Sequence, residues 1–243
     1  MATFVIVHGA WGGGWEWRSV ADALAARGHR TFTPTLTGLG ERSHLLSRSI
    51  GLNTHAEDVA QLIRWERARE VLLVGHSYGG MVTTVAASMI ENVKAMIYVD
   101  AFTPESGQCE IDLIEPELAE SMLLEPARRH GDGWLVPFPF PDDLDGYPAD
   151  VAERYRTARQ PLATFTDRAD VESRVRRLPT AFIHCTAKPP GEDLFAGLTR
   201  EAEQRGWLIH DIESGHDVQI ERPAAIAEVL HELAPRMTDR DPR

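Results

Sequence analysis

Residues 71 to 87, VLLVGHSYGGMVTTVAA, hold the part of the chain best equipped for chemistry: Ser77, set between two glycines in Gly75-His76-Ser77-Tyr78-Gly79. Four apolar residues lead into the motif and a helix-forming run leads out of it. A strand that ends in G-x-S-x-G and turns at once into a helix forces the serine into a strained backbone conformation, and the glycines remove side chains that would collide in so sharp a turn. The hydroxyl then stands clear of the sheet as a nucleophile. The backbone N–H of Tyr78, close to the helix start, is positioned to stabilise a developing oxyanion. The bare five-residue pattern also arises by chance, so the strand before it and the helix after it decide for a nucleophile over an ordinary turn serine.

A serine hydroxyl attacks a carbonyl only when a base takes its proton. In this setting the base is a histidine late in the chain, after the last strand, and IESGHDVQIERP supplies His216 there. His8 and His76 read as residues that orient loops beside the site, and His184 as part of a strand. A second oxyanion donor is expected from the loop after the first strand. There, VHGAWGGGWEW offers the N–H of Ala10, with Trp11 as a pocket wall. The imidazole also needs a carboxylate behind it to hold its tautomer. YVDAFTP closes an apolar strand with Asp100, and the tips of adjacent parallel strands lie about 5 Å apart, within reach of a shared histidine. Asp100 is favoured as the acid; Glu192 and Asp193 are the alternatives, and both also read as acids at a helix N-terminus.

These residues need a scaffold that carries them on strand ends. Short β-rich runs at 3–9, 29–35, 71–76, 95–100, 180–185 and 207–212 alternate with helix-length amphipathic segments, which predicts a mostly parallel sheet of six strands covered by helices on both faces. Residues 16–27 set Trp17, Val20 and Leu24 on one helical face and end at Gly28. Thr54 and Glu57 form a capping box ahead of Val59, Leu62 and Ile63. Residues 79–91 are apolar nearly all round, as for a helix packed deep on the sheet. Pro223 opens a last helix with Ile226, Val229, Leu230 and Leu233 facing in. Between 103 and 170 the rhythm gives way to prolines, acids and GWLVPFPFPDD, with no strand alternation; this segment reads as a lid inserted into a core of residues 1–102 and 171–235, with 236–243 as a disordered tail. The lid's Trp134, Phe138 and Phe140, with Trp11, suggest an apolar substrate pocket, or else simply pack the lid down.

In order along the chain, HGAWGGGWEW, PTLTGLGERSH, GHSYGGM, YVDAFTP and SGHD resemble the α/β-hydrolase superfamily, in particular its branch of plant methylesterases, hydroxynitrile lyases and small bacterial carboxylesterases. The resemblance implies an α/β-hydrolase fold, a Ser77–His216 pair and hydrolysis of a small-molecule ester through an acyl-enzyme. It also implies an aspartate in the loop after the penultimate strand, where FIHCTAKPPGEDLF carries Lys188 instead. That departure is why Asp100 is preferred, and it is the feature that supports a ligand-binding protein with little turnover as a rival. A C–C bond hydrolase would show the same triad. The lyase version is disfavoured by Asp217 and Gly9, where those lyases resemble one another in having lysine and threonine.

Composition narrows the partners. A chain of 243 residues suffices for one α/β domain with an insertion. A formal charge of −12 argues against nucleic acid and anionic lipid. The basic group Arg174, Arg176 and Arg177 reads as a solvated helix face. No apolar run is long enough for a bilayer, and the N-terminal residues lack the features of a signal peptide, so a cytoplasmic protein is expected. Cys109 and Cys185 are expected as free thiols. GAWGGGW fits neither a dinucleotide fingerprint nor a P-loop, and no metal or organic cofactor is expected. Homo-oligomerisation is left open.

Overall fold

The six apolar runs become one parallel sheet in the computed structural model, which describes residues 1–142, 144–189 and 193–238. Its strands are β1 (Thr3–Val7), β2 (Arg30–Phe32), β3 (Val71–His76), β4 (Val93–Val99), β7 (Thr180–Cys185) and β8 (Leu208–Ile212), while β5 (Leu135–Pro137) and β6 (Arg159–Pro161) lie in the insertion. The order across the sheet is β2-β1-β3-β4-β7-β8. All six residues of β3 are buried, as expected where helices cover both faces of a parallel sheet. Side chains alternate between two layers. Val5, Val7 and Leu73 join the apolar cluster of α2 (Leu52–Trp65) and α3 (Gly79–Met89). Phe4, Ile6, Leu72 and Val74 join the cluster formed with α1 (Arg18–Ala26) and α10 (Pro223–Thr238). After β1 the chain passes to β2 on one side and later to β3 on the other. The crevice at the carboxyl ends of β1 and β3 is therefore a topological switch point, the place where open α/β sheets hold ligands.

The insertion between β4 and β7 is partly helical, with α4 (Pro116–Ala119), α5 (Glu125–His130), α6 (Ala149–Thr157) and α7 (Ala163–Thr166). Contrary to the expectation of no strands there, β5 and β6 pair antiparallel; each has only three residues, too few to carry an alternation. The core is completed by α8 (Ala196–Gln204) and the short α9 (Val218–Glu221). Among the described residues no helix is long and apolar enough to cross a membrane.

Three local expectations are corrected. The N-cap of α2 is Gly51, so Thr54 sits at the third helical position, where its hydroxyl accepts from Gly51 N–H at 3.3 Å; the Asp167 carboxylate caps Leu52 N–H at 3.1 Å, and Glu57 turns to Gln61 and Arg64. The last helix runs on through residues 236–238 with Met237 buried, and residues 239–243 lie outside the described ones. Arg174 is not part of a solvated face. Its guanidinium lies 2.7, 3.0 and 2.8 Å from the carbonyl oxygens of Ala87, Ser88 and Ile90, the orphan acceptors at the end of α3. Both cysteines are buried free thiols.

Because those carbonyls belong to the helix behind Ser77, Arg174→Ala should lower unfolding stability by about 2 kcal/mol, the scale of hydrogen bonds to a charged donor. Urea unfolding monitored by circular dichroism measures the change, and an unaltered midpoint would exclude the capping role.

Candidate active site

The loop after β3 turns as its sequence requires. Ser77 has φ of +54°, in the left-handed region that residues with a Cβ rarely adopt. A Cβ on Gly75 would lie 2.6 Å from the Gly79 carbonyl oxygen, and one on Gly79 would lie 2.5 Å from that of Val7. The two glycines of the motif therefore allow the strand, the helix and β1 to meet. Register does the rest: His76 pairs with Val99, so Ser77 and Asp100 both stand one residue past the tips of neighbouring strands. Asp100 also has positive φ, +45°, and its N–H donates to Ile183 O at 2.8 Å.

His216 arrives from the loop between β8 and α9. That loop is tied down by Glu221, whose carboxylate accepts from Gly215 N–H at 2.8 Å and Ser214 Oγ at 3.1 Å. His76 Nε2–H donates to His216 O at 3.0 Å, and the two rings lie 4.7 Å apart. Phe195 stacks on the imidazole at 5.0 Å with an interplanar angle of 5°. Nδ1 of His216 is 2.6 Å from Asp100 Oδ2, and the Asp100 side chain is fully buried. Nε2 has no hydrogen-bond partner among the described residues, Ser77 included, which leaves it free to receive a proton.

Lys188 Nζ lies 2.7 Å from both Asp100 oxygens, and Oδ1 also accepts from Cys185 N–H at 3.2 Å. Burial alone would raise the Asp100 carboxyl, but its bonds to His216 and Lys188 prevail and hold it below its ordinary range. For His216, desolvation works to lower the imidazole; the hydrogen bond and charge of Asp100, with the charge of Asp217, outweigh it and the opposing Lys188, and the net shift is upward. Of the two alternative acids, Asp193 lies behind Lys188, with Oδ1 on the ammonium at 2.8 Å and Oδ2 on His184 Nε2 at 2.7 Å, and Glu192 falls outside the described residues.

The first loop passes close over the serine: a Cβ on Gly9 would be 3.1 Å from both Ser77 Cβ and His76 Nδ1. His8 fixes this loop. Its Nε2 accepts from Leu36 N–H at 3.1 Å, so Nδ1–H donates to Gly9 O at 2.7 Å. The N–H groups of Ala10 and Tyr78 have no acceptor among the described residues. Trp11, at φ +58°, gives its N–H to the buried Gln160 of β6 at 2.8 Å and its indole N–H to Val136 O at 2.9 Å. Nothing in the residue spacing marked Gln160 for that contact.

The four aromatic residues expected around a pocket are only partly assembled. Trp11 meets Phe138 edge-on at 5.9 Å, and Phe138 meets the 40% exposed Phe140 at the same separation. Trp134 stands apart under the Arg48 guanidinium, 5.0 Å from its ring. Tyr155 and Phe165, which the sequence did not single out, complete the group, against Phe138 at 5.0 Å and Trp11 at 5.4 Å. A separate cavity of about 400 Å³, lined by Thr84, Tyr98, Glu105, Arg205 and Trp207 among others, includes neither Ser77 nor His216.

A model described as the alpha/beta hydrolase family matches residues 4–229. The carbendazim hydrolyzing esterase of Nocardioides sp. (strain SG-4G) is 36% identical over 249 residues, covering 96% of this chain and 100% of that protein. Methylesterase 2 of Arabidopsis thaliana is 30% identical over 135 residues, 54% of this chain and 48% of its own. A solved extracellular alpha/beta-hydrolase from a Paenibacillus species shares the fold, with a TM-score of 0.79 at 22% identity over 96% of this chain and 98% of that one.

His8, His55 and His76 should separate from His216 on titration. Burial holds His8 neutral down to about 3, and His55 and His76 down to about 4, whereas His216 should titrate above the ordinary 6.5. Imidazole C–H signals followed by NMR against pH, with His216→Gln for assignment, measure this. A His216 midpoint below 6.5 would contradict the ion pair with Asp100.

Proposed function

This chain belongs to the alpha/beta hydrolase family, and on that premise we propose that it is a serine esterase, cleaving a carboxylic ester of a small apolar substrate through an acyl-enzyme intermediate. The observation that carries this reading is the 2.6 Å contact between His216 Nδ1 and the buried Asp100, at the tip of the strand beside Ser77. With Nδ1 bound to a carboxylate, the proton of neutral His216 sits on that nitrogen and the lone pair on Nε2. Nε2 takes the Ser77 proton as Oγ adds to the ester carbonyl. The Ala10 and Tyr78 N–H groups receive the oxyanion. Collapse breaks the bond to the alkoxy oxygen, which leaves as the alcohol with the proton held by His216. Water then attacks the acyl-serine with His216 again as base, and the carboxylic acid departs as Ser77 recovers its proton.

Residues 103–170 act as a lid in this scheme. The Trp11 contacts to Val136 and Gln160 link it to the oxyanion loop, and Trp11, Phe138 and Phe140 offer the apolar wall. The position of Trp134 against Arg48 argues against a pocket role for it. The sequence feature that favoured a binding protein with little turnover, an acid missing from its customary loop, loses its force once Asp100 takes that part. The esterase activity named for the relative aligned along its full length points the same way.

Hydrolysis of p-nitrophenyl butyrate provides the test. Ser77→Ala and His216→Gln should each lose about a thousandfold or more in kcat, and Asp100→Asn about a hundredfold or more, since the tautomer is then no longer fixed. The base works only when neutral, so kcat/KM of the wild type should rise with pH through a midpoint above 6.5. A wild type no faster than Ser77→Ala would sink the esterase reading for this substrate and advance the binding-protein and C–C hydrolase alternatives.

A further inference from the structure

The loop after β7 carries a lysine where the resemblance calls for an acid, and its side chain is only 10% exposed. Lys188 Nζ lies 2.7 Å from Asp100 and 2.8 Å from Asp193, and 5.0 Å from the centre of the Phe195 ring. Asp193 in turn accepts from the Phe195 N–H at 3.0 Å, and Phe195 is the ring stacked on His216. One ammonium is thus bonded both to the acid behind the imidazole and to the carboxylate that anchors the ring lying against it. Burying an anion as completely as Asp100 is unfavourable unless charge and N–H groups face it. His216 must be neutral to serve as a base, so it cannot be the standing counter-charge. Lys188 can.

We propose that Lys188 is a positioning residue of this site, its ammonium pinning the Asp100 carboxylate so that Oδ2 meets His216 Nδ1. The inference rests on the serine-esterase reading. It has an electrostatic consequence that a merely structural contact would lack, because the same positive charge opposes protonation of His216. The groups around the imidazole are Asp100 and Asp217, which favour its protonated form, Lys188, which opposes it, and His76, whose burial keeps it neutral. Around the ammonium stand Asp100, Asp193 and the Phe195 ring, with the Cys185 thiol nearby.

The decisive variants are Lys188→Gln, which keeps an N–H donor but not the charge, Lys188→Arg, which keeps both, and Asp193→Asn, which leaves Asp100 as the ammonium's carboxylate partner. The midpoint of His216, read by NMR in a Ser77→Ala background, should rise by about half a pH unit or more in Lys188→Gln, return to its starting value in Lys188→Arg and fall in Asp193→Asn. In the Ser77-containing protein, Lys188→Gln should shift the acidic limb of kcat/KM upward and lower kcat about tenfold with KM little changed. The NMR readout needs no turnover. An active Ser77→Ala protein would therefore remove the serine reading while the titration still judged the contact. Unmoved midpoints in folded Lys188→Gln and Asp193→Asn overturn the inference; if Lys188→Gln does not fold, an unmoved or raised midpoint in Asp193→Asn does so alone.

Discussion

The site hangs on the pairing of β3 with β4. His76 lies opposite Val99, and both strands are buried nearly throughout between two close-packed layers, so a slip of one residue would exchange the side chains of those layers and force both to repack. That register sets Ser77 and Asp100 side by side, each on a residue of positive φ just beyond its strand. Two strained residues at adjacent tips are unfavourable in isolation, of the order of 1–3 kcal/mol each. They persist because the surrounding backbone leaves no alternative. Ser77 N–H donates to Val99 O at 3.3 Å, Ser77 O accepts from both Gly80 and Phe102, and Asp100 N–H is taken by Ile183. Strain and register are two aspects of the same constraint.

Charge placement follows from it. Asp100 is held in a wholly buried position, and the three neighbouring histidines that could complicate proton transfer are kept neutral by burial and by fixed partners: His8 between Gly9 O and Leu36 N–H, His55 between Tyr78 OH and Thr37 O, His76 against His216 O. His216, by contrast with these three, meets a carboxylate through Nδ1 and is pushed upward. A second polar cluster joins the insertion to the core. Buried Glu16 accepts from Tyr155 OH at 3.1 Å and Gly13 N–H at 3.2 Å, and Asp217, next to His216, accepts from Tyr147 OH at 2.6 Å. Burial and the nearby Asp217 push the Glu16 carboxyl well above the usual carboxylate range where it meets the insertion. The insertion is thereby tied to the loop after β1 and to the loop that carries His216 at once.

The parallel sheet and the three candidate side chains were legible because each rests on local pattern, whereas the order of strands across the sheet was not read from the sequence. Apolar runs of five to seven residues marked the strands, and a strand closing on a single polar residue marked Asp100. What stayed hidden depends on partners distant in the chain. Gln160 reaches the Trp11 N–H across 149 positions, and Arg174 caps a helix that ends 85 residues earlier, so neither could be found by periodicity or spacing. The α2 cap was misread because Gly51, lacking a side chain, gives no local signal, while the carboxylate that caps it belongs to Asp167. In the insertion, strands of three residues ending in proline offer nothing to an alternation search.

The imidazole requires a carboxylate oxygen in line with Nδ1 and is indifferent to which strand delivers it. β4 and β7 are neighbours, with Val99 paired to Ile183, so an acid leaving either tip can approach the same histidine. With Asp100 at the tip of β4 already meeting Nδ1, the loop after β7 contributes the opposite charge. A lysine there faces the buried carboxylate, and Asp193, the loop's own acid, turns to the lysine and to His184 instead of to His216. Opposite charges thus face each other across two adjacent loops, and the carboxylate of the pair also faces the imidazole.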